Sequence, residues 1–350
     1  MTEDRAHARD DGPSVTMAMV AARAGVSRQT VSNALNTPEL LRPETLRRVR
    51  ETVDELGYRP HRAARSLRTR SSRLVGYAIQ PSAGRAATPV LDRFLHALTE
   101  SLDEAGYRVL LFPSPGGEPE TEAYAELLRE DSVDAFVLAN TVRGDRRQAW
   151  LHERGIPFVA FGRDWGPGGA GDWVDVDGAH GTSAAVDHLT ALGHRHIAFL
   201  GWPEGSGVGD DRARGWREAL ARHGLPSDGL RLEAADSLEA ATAAAHTLLE
   251  ATPATAVLAA SDMLAMGCYQ ALHERGEDLG DRLSVVGFDD APVAALLRPA
   301  LTTLSQPLER LGRECVRLLL DRIADPGGPA RHALLAPQLV VRESTRPPAA

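Results

Sequence analysis

Residues 15–36, Val-Thr-Met-Ala-Met-Val-Ala-Ala-Arg-Ala-Gly-Val-Ser-Arg-Gln-Thr-Val-Ser-Asn-Ala-Leu-Asn, constrain the fold more than any other stretch of this chain. They read as two short helices joined by a tight turn. Thr16 offers a side-chain oxygen at the N-cap of the first helix, and Met17, Val20, Ala21 and Ala24 follow at helical spacing. Gly25 supplies the left-handed residue that ends it, Val26 is an apolar plug, and Ser27 caps a second helix reaching about Leu35. In that second helix Thr30, Val31 and Ala34 face inward. Arg28, Gln29, Ser32 and Asn33 face outward and are suited to base edges or phosphates. This is the chemistry of a helix-turn-helix whose second helix enters a DNA major groove. Thr16, Ser27, Thr30 and Asn36 complete the set of candidate DNA-contacting residues in the motif.

Charge supports the same reading. Residues 13–73 carry twelve arginines against five acids, whereas the whole chain has a net charge of -9. Residues 1–12 are net -2, so the 277 residues after 73 hold a net -14. A basic head on an acidic body fits a phosphate-binding module joined to a domain that does not itself adhere to DNA. All 39 Lys and Arg cations are arginines, which excludes a P-loop lysine, a Schiff-base lysine and a lysine general base together. Cys268 and Cys315 each lie in an apolar helical context, consistent with a reducing cytoplasm. Residues 1–12 have no apolar segment for a signal peptide, and no apolar run reaches membrane-spanning length. A cytoplasmic protein is expected.

A third helix begins at Pro43, carries Leu46, Val49, Val53 and Leu56 on one stripe, and stops at Gly57. Its start is weakly secured, because Arg42 cannot cap it. Residues 61–70 have helical propensity but a single large apolar residue, Leu67, which is too little to hold a helix alone. From Leu74 the pattern changes to strand–helix alternation. Strands are expected at Leu74–Ile79, Arg108–Phe112, Ala135–Ala139 and Phe158–Phe161, with helices near 90–105, 118–130 and 145–154. A second series has strands at Ile197–Leu200, Ala256–Ala260 and Ser284–Phe288, with helices near 178–192, 211–223, 237–250 and 262–275. Two such series, divided by the Gly-rich stretch Gly162–Gly171, predict two doubly wound parallel sheets with a ligand cleft between them.

Within that frame, Gly201–Gly209 fits neither a dinucleotide fingerprint nor a P-loop and reads as a mobile loop lining the cleft. His194 and His196 flank Arg195 just before a strand, diverge, and lack further ligands, so a structural role is assigned and no metal is expected. No nucleophile elbow or Cys/His pairing stands out, which argues against an enzyme. Trp165, Trp173 and Trp202 fall in loops after expected strands, where indole faces stack on sugars; Trp216, inside a helix, is assigned to the core. Arg212 and Asp289 are the most plausible polar anchors for a polyhydroxylated ligand, with Arg163 beside Trp165 added to the effector set. Asp262 reads as a helix cap.

From about 15 to 345 the chain resembles the lactose-repressor family of bacterial transcription regulators. The resemblance rests on residues 20–36, Leu192-Gly-His-Arg-His-Ile197, Arg212-Ala-Arg-Gly-Trp216, Ser284-Val-Val-Gly-Phe-Asp-Asp290, Leu301-Thr-Thr303 and Leu339-Val-Val-Arg-Glu-Ser-Thr345. It implies an all-α helix-turn-helix headpiece and an α/β periplasmic-binding-protein-like core of two doubly wound parallel-sheet subdomains. The expected layout is a disordered tail at 1–13, the headpiece at 14–60, a hinge at 61–72 and the core at 73–345. Within the core, 73–165 with 306–335 form one subdomain and 166–305 with 336–345 the other.

The resemblance further implies a homodimer on a near-palindromic operator, without a cofactor. Arg28, Gln29 and Asn33 match base-reading positions, although many members have Arg where this chain has Asn33. His61–Arg68, including His61 and Arg62, matches a hinge helix that folds on DNA, and Leu67 matches its minor-groove wedge. Arg212 and Asp289 fall on the family's ligand-contacting Arg and Asp, while positions aromatic in some members are aliphatic here, near Val176 and Leu308. The chain ends without a leucine-heptad tail, so a dimer rather than a tetramer is expected. The expected function is a repressor controlled by a mono- or oligosaccharide. A purine, nucleoside or other corepressor is the runner-up, and a sugar-binding protein without regulatory role a distant third.

Overall fold

The computed structural model describes residues 15–58, 71–79, 89–114, 121–166 and 171–349. The chain divides into two compact units, one ending at Ser72 and the other beginning at Arg73. His61, Arg62 and Leu67, and the expected tail at 1–13, lie outside the described residues.

In the first unit, α1 (Met17–Ala24), α2 (Arg28–Asn36) and α3 (Pro43–Leu56) follow the expected spacing, with a single 3-10 turn at Pro38–Leu40 between the last two. The Thr16 hydroxyl accepts from the Met19 amide, and the Ser27 hydroxyl accepts from the Thr30 amide at 3.1 Å. Gly25 takes φ 65° at the end of α1, a left-handed conformation that a β-carbon would strain. Arg42 makes no side-chain cap bond to α3, and Pro43 occupies the first turn instead. Val20, Ala21, Ala24, Val31, Ala34, Val49 and Tyr58 form the core of the head. This core is small, so each buried valine, at about 1.5–3 kcal/mol, is a large share of the unit's stability.

The second unit is built on two parallel sheets. The first contains β1 (Leu74–Ile79), β2 (Arg108–Pro113), β3 (Ala135–Leu138), β4 (Phe158–Phe161), β5 (Asp172–Val176) and β11 (His332–Leu335), in the order β11-β5-β4-β3-β1-β2. The second contains β6 (Ile197–Gly201), β7 (Arg231–Glu233), β8 (Ala256–Ala259) and β9 (Ser284–Val286), in the order β7-β6-β8-β9. Around the first sheet run α4 (Pro89–Glu104), α5 (Glu122–Arg129) and α6 (Arg146–Glu153), and around the second α7 (Gly178–Ala191), α8 (Gly207–Arg222), α9 (Leu238–Ala251) and α10 (Asp262–Arg275). An antiparallel pair, β10 (Thr303–Ser305) with β12 (Gln338–Val340), lies against α7. Runs such as Phe158–Phe161 and Ala256–Ala259 are buried on both faces, which is why they read as uninterrupted apolar segments.

Three features depart from the sequence reading. Residues 172–176 were expected in the second subdomain, after a boundary at 165. Instead β5 pairs in parallel with both β4 and β11 and belongs to the first sheet, so the chain crosses over after Val176. The Gly-rich stretch marks a return to the same sheet, and Asp172 and Asp175 interrupt the apolar pattern that would have revealed a strand. Secondly, Gly201–Gly209 is only partly a loop. Ser206 caps α8 by accepting from the Gly209 amide at 3.2 Å, which starts that helix at Gly207. Thirdly, residues 306–335 hold α11 (Leu308–Ala324), which packs on α4 and on β4 and β5. Its stripe Leu308, Leu311, Cys315, Leu318 and Leu319 is buried and was legible at helical spacing.

His194 has the structural role assigned to it. Its ring meets the Thr255 and Ser284 hydroxyls and the Arg346 carbonyl at 2.9–3.1 Å, tying the C-terminal segment to β9. Trp216 is fully buried, and its indole N–H donates to the Ile197 carbonyl at 3.0 Å.

Candidate functional site

The outward face of α2 carries a polar surface with partial internal order. Arg28 and Gln29 are exposed, while Ser32 and Asn33 are half-buried. The Gln29 amide donates to the Asn33 side-chain oxygen at 2.9 Å, which holds both side chains on one face and presents their remaining polar atoms outward. Several other expected DNA-contacting residues also have roles inside the head. Thr16 and Ser27 cap helices, Thr30 shares a 2.9 Å hydroxyl contact with Ser27, and the Asn36 amide donates back to the Ser32 carbonyl at 2.6 Å.

In the second unit, a cavity of about 150 Å³ opens between the two sheets. A single water needs only ~10–15 Å³, so the space suits a larger ligand. One wall comes from the first sheet: Asn140 and Thr141 after β3, Phe161, Arg163 and Trp165 at and after the end of β4, and Asp175 and Val176 at the end of β5. The facing wall comes from the second: Trp202 after β6, Asp211 and Arg212 in α8, Asp236 after β7, and Asp289 after β9. Gln306, following β10, joins it. Both walls use the carboxyl ends of parallel strands, where unpaired strand ends and helix starts leave a crevice.

Two arginines organise the site. Arg163 bonds Asp175 through Nε at 2.7 Å and Asp211 through Nη2 at 2.8 Å, bridging the two walls, and its guanidinium lies 4.3 Å from the centre of the Trp165 ring. Burial works against the Arg163 charge, but Asp175 and Asp211 outweigh it and raise the pKa. Arg212 is set differently. Its side chain is 6% exposed and lies 3.5 Å over the Phe288 ring and 5.3 Å from the Trp202 ring. It donates to the Ala260 carbonyl, and its nearest carboxylate oxygen, on Asp289, is 3.7 Å away. At that distance the pair is not hydrogen-bonded. Burial lowers the Arg212 pKa against the opposing pull of Asp289, and burial pushes the Asp289 carboxyl up to about 6, with Arg212 opposing. Both charges are thus poorly compensated, and a ligand able to bond them recovers part of that desolvation cost.

Further polar groups are left open. The indole N–H groups of Trp165 and Trp202 and the Nε of Arg212 are buried without a partner. Asp289 sits at φ 116°, a strained conformation for an aspartate, held by the Gln306 amide donating to its Oδ1 at 2.7 Å. Behind it, Asp262 does not cap α10; Ser261 does, by accepting from the Leu264 amide at 3.1 Å. Asp262 instead accepts from the Thr303 hydroxyl at 2.5 Å and the Ala291 amide at 2.7 Å. Burial, aided by Asp289, raises its carboxyl to about 7.

The structure therefore brings Arg163, Trp165, Trp202, Arg212 and Asp289 around one cavity. Trp173 is not among them. It lies on β5, stacked 4.4 Å from His332 on the neighbouring strand, because residues 172–176 form a strand rather than a loop. Of the two aliphatic positions singled out, Val176 lines the cavity and Leu308 is buried in the core. Sequence reading missed Asn140, Thr141, Asp175, Asp211, Asp236 and Gln306. Asp211 precedes Arg212 directly and was within reach; Asn140, Thr141 and Asp175 meet Arg163 at neighbouring strand ends of the first sheet, and Asp236 and Gln306 join them from elsewhere in the fold.

A helix-turn-helix head joined to a two-sheet core with a polar, aromatic-lined cavity defines a class: DNA-binding regulators that respond to a small molecule. Residues 16–61 match the model for bacterial regulatory proteins of the lacI family, and residues 186–345 match that for a periplasmic binding protein-like domain. The HTH-type transcriptional regulator CelR of Thermobifida fusca is 34% identical over 333 residues, covering 94% of this chain and 98% of that protein. A solved CelR–cellobiose complex is 32% identical with a TM-score of 0.71, covering 94% of this chain and 99% of that one. The lac repressor dimer bound to operator and the anti-inducer ONPF is 28% identical with a TM-score of 0.82, covering 95% and 99%. The chain belongs to the lacI family of bacterial transcription regulators, which are not enzymes. No helix among the described residues is long and apolar enough to cross a membrane.

Proposed function

We propose that this regulator is a cytoplasmic repressor that binds a near-palindromic operator as a homodimer and is released by a saccharide. The observation that carries the effector class is the cavity itself. Two tryptophan rings, a buried arginine with an open N–H and two carboxylates, on Asp236 and Asp289, converge on one space. A sugar ring offers apolar faces to indoles and hydroxyls that both donate and accept. The complex of CelR with cellobiose supports the same class. On the head, Arg28, Gln29 and Asn33 read base edges, and the hydroxyls of Thr16, Ser27, Thr30 and Ser32 and the amide of Asn36 contact the backbone or brace those readers.

Because the cavity walls come from different sheets, a ligand bonded to both favours a closed arrangement of the core, and operator affinity falls by the difference in ligand affinity between the two states. The test is calorimetry of the full chain against glucose, cellobiose, maltose and free purine bases, with operator release followed in parallel. Binding of a sugar with loss of operator affinity is expected. Tightening of operator binding by a purine base, with no sugar bound, would replace this reading with a corepressor.

A further inference from the structure

The cavity is small for its ligand class. A volume of about 150 Å³ takes up one six-membered ring, whereas larger ligands ordinarily fill roughly 300 Å³ or more. Part of its boundary is a strap, residues 162–166 after β4, which starts on the first sheet and is fastened to α8 beside the second. On its own side the strap is pinned twice. The Thr141 hydroxyl donates to the Arg163 carbonyl at 3.2 Å, and Arg143 donates to the Trp165 carbonyl at 2.9 Å. Asp175 holds the Arg163 side chain from the same wall.

Across the cavity the fastening is equally specific. Arg163 bonds Asp211 at 2.8 Å, with side-chain exposures of 19% and 5%, so this ion pair lies largely out of water. Asp211 is itself fixed by the Ala179 amide at 3.1 Å and by Arg214 at 2.6 Å. The Trp165 ring packs on Gly207, the first residue of α8, where a β-carbon would collide with it. Glycine at 207 is thus what lets the indole reach the helix. Resting on the saccharide reading above, we propose that this strap sets the size of the effector. Arg163, Trp165 and Gly207 restrict the cavity to a single sugar ring and disfavour disaccharides. Arg163 acts here as a positioning residue, holding the indole and the strap in place. A second ring requires the strap to lift, which breaks the Arg163–Asp211 bond and uncovers the indole. Loss of one such charge-assisted bond corresponds to about ten- to hundredfold in affinity.

The test is calorimetry of the full chain with glucose beside cellobiose and maltose, and galactose beside lactose. A single-ring sugar is expected to bind at least tenfold more tightly than the disaccharides that contain it. Two variants unfasten the strap. Gly207→Ala keeps a good helix former at the start of α8 while displacing the indole, and Arg163→Met removes the bond to Asp211. In either, the gap between one ring and two is expected to narrow about tenfold. A disaccharide that binds the wild type within tenfold of its component ring overturns the proposal, as does a gap that neither variant narrows. If no sugar of either size binds, the saccharide reading fails, and the strap is read from acrylamide quenching of Trp165. That indole is isolated as the difference from Trp165→Phe. Quenching that rises severalfold in Gly207→Ala or Arg163→Met supports the closure, and equal quenching in all three proteins overturns it.

Discussion

The head and the cavity solve opposite problems. The head spends its sequence on local order: caps at Thr16 and Ser27, a glycine at 25, and a small apolar centre leave one helix face for recognition. The side-chain hydrogen bonds of the described head join residues no more than four positions apart. The cavity does the reverse. Arg163 reaches Asp211 across 48 positions, and Arg212 and Asp289, far apart in the chain, remain poorly paired. In the reading proposed above, DNA meets a face ordered by local bonds, and the effector meets a site that is left incomplete.

The sharpest way to break that contrast is Arg212→Ala. Removing the guanidinium leaves Asp289 buried without its nearest cation, so the core should lose about 3 kcal/mol of stability and effector binding should vanish in calorimetry. Operator affinity without ligand should stay within a few-fold. Unchanged ligand binding would detach the cavity from the function.

Asp262→Asn probes the same region with a pH signature. Burial lifts the Asp262 carboxyl from 3.8 to about 7, so the folded state holds a proton that the unfolded state releases near pH 4. Its contribution is fully present below that pH and is lost as pH rises to about 7. Asn mimics the protonated form, its oxygen accepting from Ala291. The variant should therefore gain about 4 kcal/mol over wild type at pH 8 and nothing at pH 4, read from thermal unfolding across pH. A gain that does not grow with pH would deny the buried proton.

On the head, Asn33→Ala should cost about 1–2 kcal/mol of operator affinity and relax base preference at one position of each half-site. Ser27→Ala should cost about 1 kcal/mol of stability and weaken all DNA sequences alike. Equal patterns from the two variants would mean that the outer face of α2 does not read bases.

What was legible in the sequence follows the same divide. The three helices of the head, their caps and the weak start at Arg42 are written within a few residues each, and the structure keeps them. In the core, apolar strands such as Phe158–Phe161 announced themselves. By contrast, β5 did not, because Asp172 and Asp175 interrupt it: Asp172 bonds Arg322, and Asp175 bonds Arg163. That strand misplaced the subdomain boundary and sent Trp173 to the cleft. Arg212 and Asp289 were found through their positions at a helix start and a strand end. Asp236 and Gln306 carry no local mark, and only the crossings between sheets place them beside the others.

The most direct measurement is operator affinity of the full chain, with and without the sugar that calorimetry selects, in the wild type and in Asp289→Asn. At least a tenfold loss of operator affinity is expected on adding sugar to the wild type. Equal ligand-free affinity and no loss are expected in the variant at the same sugar concentration. An Asp289→Asn protein released from its operator as readily as the wild type would contradict these expectations.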